Sequence, residues 1–241
     1  MKIIVVNDYE EMSRKAANIV ASQIILKPNS VLGLATGDTP LGMYKNLTRF
    51  YQEGDVDFTD VKTFNLDEYY GLDKSNPQSY YFYMMENFFK HINIQQQNIH
   101  LPNGMAENIE KECVQYEKNI ELAGGIDLQI LGIGGNGHIG FNEPDLKFEA
   151  ITHLVELDEN TVKANSRFFK SLDEVPTKAI SMGIKTIMGA RNILLLASGR
   201  TKAEIIYKAI KGKITSEVPA SILQLHPQIT FIIDKEAASY L

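Results

Sequence analysis

Short apolar segments alternate with helical patterns along most of the chain, and this alternation constrains the fold more than any other feature. The segment at 193–197 is apolar on both alternating faces, which is typical of a parallel strand covered by helices on both sides. The sequence therefore predicts an α/β fold, a three-layer sandwich around a mostly parallel, Rossmann-like sheet. The apolar segments lie at 3–6, 31–35, 61–66, 128–133, 193–197 and 230–233.

Helices are expected between these segments. Asn7, followed three residues later by Glu10, resembles a capping box that opens the first helix. Its buried stripe is predicted at Met12, Ala16, Ile19, Val20 and Ile24. Further helices are expected near 41–53, 78–90, 107–122, 176–189 and 201–211.

The domain organisation is predicted to be simple. No repeat or Pro/Gly/Ser-rich linker interrupts the chain, so 1–241 is predicted to be a single α/β domain. The stretch from about 145 to 175 is polar and lacks a strong core pattern. We interpret it as a mobile lid over a site.

Composition excludes several classes of protein. Lys and Arg number 24 against 30 Asp and Glu, a formal charge of −6, which argues against a nucleic-acid-binding surface. The lone cysteine, Cys113, is interpreted as a small core residue on a helix; it allows neither an internal disulfide nor a cysteine zinc cluster, which favours a reducing compartment. The first apolar run is too short for a signal peptide, and no apolar run in the sequence is long enough to span a bilayer. We expect a cytoplasmic protein without membrane contact.

Polar residues follow the apolar segment at 31–35, where a parallel sheet would place a ligand. Thr36, Gly37, Asp38 and Thr39 form a turn in which Thr39 is suited to cap a helix and Pro40 to occupy its first position. Free N–H groups at a helix N-terminus bind anions. A phosphate is the predicted ligand, although Asp38 opposes this unless its carboxylate points away. A plain strand-to-helix turn is the alternative.

Two adjacent carboxylates follow the segment at 61–66. Asp67 is placed as a general base, and Glu68 is interpreted as a partner in a structural ion pair. A solvated turn is the alternative, because two carboxylates are costly to bury together. A magnesium site at this pair is a weaker interpretation.

The glycine-rich segment after 128–133 matches G-x-G-x-x-G over 132–137. That fingerprint must open a helix, whereas Gly140 and Pro144 soon follow, so nicotinamide and flavin binding are rejected. Asn136, His138 and Glu143 remain as a proton shuttle whose imidazole is oriented by a carboxylate. A purely structural histidine is the alternative.

Lys202 follows the segment at 193–197, near the start of a predicted helix. A cation there is unfavourable without an anion nearby, so Lys202 is predicted to complete the phosphate site, with a surface lysine as the alternative. No serine nucleophile elbow occurs. The other histidines do not pair at metal-ligand spacing: His91, His100, His153 and His226.

Four segments together resemble the glucosamine-6-phosphate deaminase family: 64–69, 132–144, 165–169 and 223–227. The resemblance runs from the first strand to about Asp234, and the His138 segment is its most specific part. The related 6-phosphogluconolactonases share the fold and are less similar in these segments.

The resemblance implies conversion of glucosamine 6-phosphate and water into fructose 6-phosphate and ammonia, with no metal or organic cofactor. It implies that His138, with Glu143 and Asn136, opens the pyranose ring, and that Asp67 moves the proton from C2. Two acid/base centres suit two separate proton transfers. Phosphate would bind the Thr36 to Thr39 loop, Arg167 and Lys202, and Arg167 would draw the lid closed.

This chain departs from the family at three places. Asn136 stands where some members carry Asp, so Glu143 alone would stabilise the imidazolium by charge. Asp38 stands where many have Gly. The chain stops at Leu241, and His153 and Val155 lie where regulated members carry basic residues. We expect no activation by N-acetylglucosamine 6-phosphate; a sigmoidal rate curve made hyperbolic by that effector would contradict this.

Two rival functions stay open from the sequence. A non-catalytic sugar-phosphate sensor would bind the same ligand without releasing ammonia. A 6-phosphogluconolactonase would not exchange the C2 hydrogen of a sugar with solvent. In each case the partner is a small sugar phosphate, and the protein is a monomer or a homo-oligomer.

Overall fold

The computed structural model describes residues 1–158, 162, 163, 166, 169, 171 and 174–241. Within this part of the chain, the central sheet has seven strands in the order β1-β10-β9-β6-β2-β3-β5, and all its neighbouring strands are parallel. The predicted parallel sheet is confirmed. The strands, in chain order, are β1 (Lys2–Val6), β2 (Val31–Leu34), β3 (Lys62–Asn65), β4 (Asp67–Tyr69), β5 (Ile99–His100), β6 (Leu128–Leu131), β7 (His153–Glu156), β8 (Lys178–Ser181), β9 (Asn192–Ala197) and β10 (Ile229–Asp234).

Helices cover both faces of this sheet and complete the predicted three-layer sandwich. They are α1 (Tyr9–Leu26), α2 (Asp38–Gln52), α3 (Tyr80–Asn87), α4 (Ile109–Leu122), α5 (Ile184–Met188) and α6 (Ala203–Lys211), with a 3₁₀ helix at Pro219–Leu225. One buried cluster joins the sheet to α1, α2 and α3, and another joins it to α4, α5 and α6. Cys113 is buried on α4, as predicted.

A second sheet, which the sequence did not predict, is antiparallel with the order β4-β8-β7. Leu66 connects the two sheets: its N–H donates to Leu34 in the large sheet, and its carbonyl accepts from Met182 next to the small one. The segment at 61–66 therefore does not end in a free loop. The chain passes directly into β4, which places Asp67 between the sheets.

Two helix predictions were wrong in detail. The first helix is capped by Asp8, whose side chain accepts from the N–H of Glu11, while Glu11 in turn accepts from Asn7. The capping box is therefore one residue later than predicted. The predicted helix at 176–189 is strand β8 followed by the short helix α5, because pairing with β4 and β7 overrides local helical propensity.

The predicted lid at 145–175 is only partly described. Residues 153–156 form β7, which pairs with β8 and anchors this segment to the small sheet. The lid residues 159–161, 164, 165, 167, 168, 170, 172 and 173 lie outside the described residues. Closure of a lid therefore stays a prediction. Across the part of the chain that the structure covers, no helix is both long and apolar enough to cross a membrane.

Candidate active site

A cavity of about 690 Å³ lies at the carboxyl ends of β2, β3 and β6, and its lining reaches the turn after β9. The sequence-predicted residues that line it are Thr36, Gly37, Asp38, Thr39, Asp67, Asn136, His138 and Lys202. These residues come from four separate chain segments, as the strand-end argument predicts. The cavity is large enough to hold a small metabolite.

The loop between β2 and α2 forms the wall where phosphate binding was predicted. Gly37 precedes the helix with a φ of 97°, a conformation that favours glycine, and Asp38 is the first helical residue. Thr39 is thus not the cap and Pro40 is not the first helical residue, which corrects that prediction. The helix N-terminus still faces the cavity, and the side chain of Asp38 is exposed.

Two tyrosine hydroxyl groups hold the backbone of this loop. The hydroxyl of Tyr83 donates to the carbonyl of Gly37 at 2.7 Å, and that of Tyr9 donates to the carbonyl of Asp38 at 2.8 Å. The hydroxyl of Tyr9 also accepts from the N–H of Gly42. These bonds fix the carbonyl groups of the loop, and the loop leads into the N-terminus of α2, the kind of position at which backbone N–H groups bind anions.

Asp67 and Glu68 are both buried, so the solvated-turn alternative is wrong. Burial and the charge of Glu68 raise the pKa of Asp67 from its ordinary value of 3.8 to about 8. Glu68 does not make the predicted ion pair among the described residues. Instead its carboxylate accepts N–H bonds from Tyr69, Tyr80 and Tyr81 at 2.8–2.9 Å.

The glycine-rich loop after β6 presents His138 to the cavity. Nδ1 of His138 lies 3.2 Å from Oε2 of Glu143, and the side-chain amide of Asn136 donates to the same oxygen at 2.6 Å. The carbonyl oxygen of that amide accepts from the N–H of His138 at 3.2 Å. The three predicted shuttle residues therefore form one hydrogen-bonded unit, in which Glu143 lies behind the imidazole rather than in the cavity lining.

Gly134 has a role that the sequence argument did not assign. A Cβ at this position would lie 2.3–2.4 Å from three atoms of the His138 ring. The imidazole therefore occupies the space that a side chain at 134 would need. No helix occurs within 132–152, all of which is described, so the loop differs from a dinucleotide-binding turn as predicted.

Lys202 reaches the cavity from the turn after β9 and is not a plain surface lysine. Its Nζ donates to the carbonyl of Ile133 at 2.7 Å, and burial lowers its pKa. Asp234 holds this turn, because its carboxylate accepts from the hydroxyl of Ser198 at 2.5 Å and from the N–H of Gly199 at 3.0 Å. Arg167, the other predicted phosphate ligand, lies outside the described residues.

Sequence reasoning missed the aromatic wall of the cavity. Tyr80 packs against Tyr69 with ring centroids 4.7 Å apart and against Phe141 at 6.0 Å. Phe169 packs on Tyr69 at 6.0 Å. Tyr83 completes the wall. The run of aromatic residues at 80–83 is the signal that could have indicated it.

The motif at 223–227 lies away from the cavity lining. The side-chain amide of Gln224 donates to the carbonyls of Ala209 and Gly212, and Nε2 of His226 lies 2.9 Å from the carbonyl of Ala190. These bonds stabilise the packing of the 3₁₀ helix against α6 and the chain before β9. Among the described residues, no group of His, Cys, Asp and Glu is arranged to hold a metal ion.

Comparison with known proteins identifies similar chains. Residues 7–231 match the family model described as glucosamine-6-phosphate isomerases/6-phosphogluconolactonase. A glucosamine-6-phosphate deaminase of Clostridium botulinum strain Langeland is 65% identical over 241 residues, which are 100% of this chain and 99% of the relative. The enzyme of the same name from Thermoanaerobacter pseudethanolicus is 62% identical, over 100% of this chain and 95% of the relative.

Solved structures of two similar proteins superpose on the chain. A monomeric glucosamine-6-phosphate deaminase of the NagB superfamily superposes with a TM-score of 0.97 at 49% identity, and the match covers 100% of both chains. A 6-phosphogluconolactonase from Trypanosoma cruzi has a TM-score of 0.79 at 20% identity, over 100% of this chain and 96% of the other. The second similarity is one of fold alone.

Proposed function

The chain belongs to the family of glucosamine-6-phosphate isomerases and 6-phosphogluconolactonases, and we propose that it converts glucosamine 6-phosphate and water into fructose 6-phosphate and ammonia. The full-length similarity to glucosamine-6-phosphate deaminases supports this substrate over a lactone. The observation that carries the proposal is geometric. A buried carboxyl group, Asp67, and a carboxylate-oriented imidazole, His138, line the same cavity.

We propose that His138 opens the sugar ring. The ring opens when the proton on the C1 hydroxyl leaves and a proton arrives at the ring oxygen, giving an open-chain aldehyde. An imidazole is suited to this exchange because its ordinary pKa lies near neutrality. Glu143 orients the ring and stabilises the imidazolium, while Asn136 orients Glu143 without adding charge.

Asp67 then acts on C2 of the open-chain sugar. It takes the proton from C2, which the C1 aldehyde acidifies, while a proton of the C2 ammonium group passes to O1, and an enolamine forms. The proton is delivered to C1, which leaves an imine at C2; water adds to C2 and ammonia departs, giving fructose 6-phosphate. An ordinary Asp is a weak base, and the raised pKa of Asp67 matches it better to this task once it is ionised.

The phosphate is assigned to the N-terminus of α2 and to Lys202. Thr36, Gly37 and Thr39 offer N–H and hydroxyl donors at one end of the cavity, and the positive end of the helix dipole favours an anion there. Asp38 is exposed at the same terminus, so its backbone rather than its carboxylate is assigned to the phosphate. Arg167 stays a predicted ligand.

Two measurements test the function. Purified protein incubated with glucosamine 6-phosphate is expected to release ammonia and fructose 6-phosphate in equal amounts. In deuterated water the remaining substrate is expected to exchange its C2 hydrogen, because deprotonation is reversible. Hydrolysis of 6-phosphogluconolactone without either result would assign the lactonase function, and binding of the substrate without turnover would assign a sensor.

Some properties stay predictions. These are the single-domain organisation of 1–241, the cytoplasmic location, the monomeric or homo-oligomeric state, and the insensitivity to N-acetylglucosamine 6-phosphate. The reaction as written needs no metal or organic cofactor.

A further inference from the structure

Glu68 makes contacts that the proposed mechanism does not use. It is 3% exposed and follows Asp67 in β4, where successive side chains point to opposite faces. Its Oε1 accepts from the N–H groups of Tyr69 and Tyr80 at 2.9 and 2.8 Å, and its Oε2 accepts from that of Tyr81 at 2.9 Å. Tyr80 and Tyr81 are the first residues of α3, so Glu68 also meets the positive end of a helix dipole.

These contacts favour the ionised form of Glu68. Each partner is an N–H donor, and a protonated carboxyl group would have to turn its own proton towards donors. Burial raises the pKa of both carboxyl groups, but the three N–H bonds oppose this rise at Glu68, and the charge of Glu68 raises the pKa of Asp67 further. Among the described residues, no N–H group donates to the carboxylate of Asp67. Glu68 is therefore the member of the pair that holds the negative charge, and Asp67 is the member that holds a proton before a substrate binds.

Among the described residues, neither carboxylate of this pair forms an ion pair. Tyr69, Tyr80 and Tyr116 have pKa values raised by burial, so they are uncharged at neutral pH. His138 and Lys202 line the cavity, and these two are held by Glu143 and by the carbonyl of Ile133. A negative charge is thus fixed behind Asp67, on the side away from the cavity.

We propose that Glu68 is a specificity-determining residue, whose fixed carboxylate makes the site select a cationic substituent on the carbon that Asp67 deprotonates over a neutral hydroxyl. This inference rests on the proposed function and names the charge that the site requires. An ammonium group at C2 is attracted to the pair and drives the proton of Asp67 into solvent, which produces the base. A hydroxyl group leaves Asp67 protonated.

Binding of unreactive ligands to the wild-type protein tests this directly. The probes are 2-amino-2-deoxyglucitol 6-phosphate and glucitol 6-phosphate, which lack a carbonyl and differ at C2 only in the amino group. Calorimetry in buffers of different ionisation enthalpy measures the protons released on binding. At neutral pH we expect the amino ligand to release up to about one proton more than its hydroxyl counterpart. We also expect it to bind about tenfold more tightly or better. Equal proton release and equal affinity would overturn the proposal.

The variant Glu68→Gln assigns the effect to this residue. Its amide keeps the size of the side chain, removes the charge, and is expected to lower the affinity ratio of the two ligands by about tenfold. Glu68→Asp, which keeps the charge, should retain more of the ratio. Glu110→Gln, at an exposed position on α4, is the matched control and should leave it unchanged. An unchanged affinity ratio in well-folded Glu68→Gln would contradict the proposal. If that variant does not fold, the difference in proton release between the two ligands in the wild-type protein tests the proposal instead.

Failure of this inference is distinguishable from failure of the proposed function. Ammonia release by the wild-type protein reports the function, whereas the two unreactive ligands report only charge selection. Ammonia release combined with equal binding of the ligands would remove the role of Glu68 and leave the function intact. Selective binding of the amino ligand without ammonia release would support charge selection and contradict the proposed function.

Discussion

The two proposed acid/base centres are built in opposite ways. Asp67 is the first residue of β4, where the chain passes from the large sheet into the small one; it is 6% exposed, and burial raises its pKa. His138 lies on a glycine-rich loop, its side chain is 22% exposed, and Glu143 orients it. Burial suits a group that must become a stronger base for a carbon acid, whereas an oriented and accessible imidazole suits proton exchange between two oxygen atoms.

The two centres also differ in what holds them. The main chain places Asp67, because β4 pairs with β8 and Asp67 lies opposite Ser181. The position of His138 depends on the absence of a side chain at Gly134, because the imidazole ring occupies the space that a Cβ there would need. Activity should therefore depend on the charge of the side chain at Asp67, and at His138 on both the imidazole and its position beside Gly134.

The variant Asp67→Asn should lose the most activity. The amide matches the carboxyl group in size but cannot accept the C2 proton, so we expect kcat to fall by at least about 10³-fold. Binding of glucitol 6-phosphate should be largely retained. Steady-state ammonia release and C2 hydrogen exchange measure the effect, and near-normal turnover would remove Asp67 from the mechanism.

The variant His138→Gln should lose ring opening selectively. We expect kcat with the ring-closed sugar to fall by about 10²- to 10⁴-fold. The loss should be smaller in the reverse direction, where fructose 6-phosphate and ammonium are supplied and C1 hydrogen exchange is followed, because that exchange does not require opening of a pyranose ring. Equal losses in both assays would indicate a structural role for His138.

Adding a methyl group at Gly134 should reproduce part of this loss without removing the imidazole. Gly134→Ala places a Cβ 2.3–2.4 Å from the His138 ring, so the ring must shift from the position in which Nδ1 lies 3.2 Å from Glu143. We expect kcat to fall by about 10²-fold. Gly189→Ala is the control, because Gly189 is exposed, does not line the cavity, and its Cβ would come no closer than 3.2 Å to another heavy atom. Similar activity in the two variants would show that the position of the ring is not critical.

The pH dependence of the free energy of unfolding should reveal the burial of Asp67. The folded-state pKa, about 8, exceeds the ordinary value of 3.8, so the native state holds an extra proton between these pH values. The contribution of Asp67 to the free energy of unfolding is therefore complete below the lower value and is lost as pH rises through the upper one. Consequently, Tm of Asp67→Asn minus that of the wild type should increase from pH 5 to pH 8.5. A constant difference would indicate that Asp67 is not buried in solution.

The smallest effect is expected at Asp234, which acts on the site only through the turn that carries Lys202. Asp234→Asn weakens the bonds to Ser198 and Gly199 and should raise KM by about threefold to tenfold with kcat nearly unchanged. Asp60→Asn, at an exposed position before β3, serves as the control. A fall in kcat with constant KM would place Asp234 nearer to the chemistry than the structure does.

Much of the fold and of the site could be predicted from the sequence. The apolar segments matched strands of the large sheet, and the polar residues after 31–35, 61–66, 128–133 and 193–197 met at one cavity. The small sheet could not be predicted, because β4, β7 and β8 are distant in sequence and each is only 3–4 residues long. For the same reason the segment at 176–189 was assigned to a helix.

The sequence by itself indicated which residues are proposed to carry the chemistry, because strand periodicity and glycine-rich turns are local properties and the motifs resemble a known family. It also determined that their strand ends meet, since parallel strands end at one edge of a sheet. The tertiary structure alone decided the state of those residues. The sequence predicted an ion pair for Glu68, whereas N–H groups at the N-terminus of α3 hold it. The sequence assigned no role to Gly134, and the structure shows that the ring of His138 occupies the space beside it. Burial, pKa and close packing depend on contacts between segments distant along the chain, which no local pattern encodes.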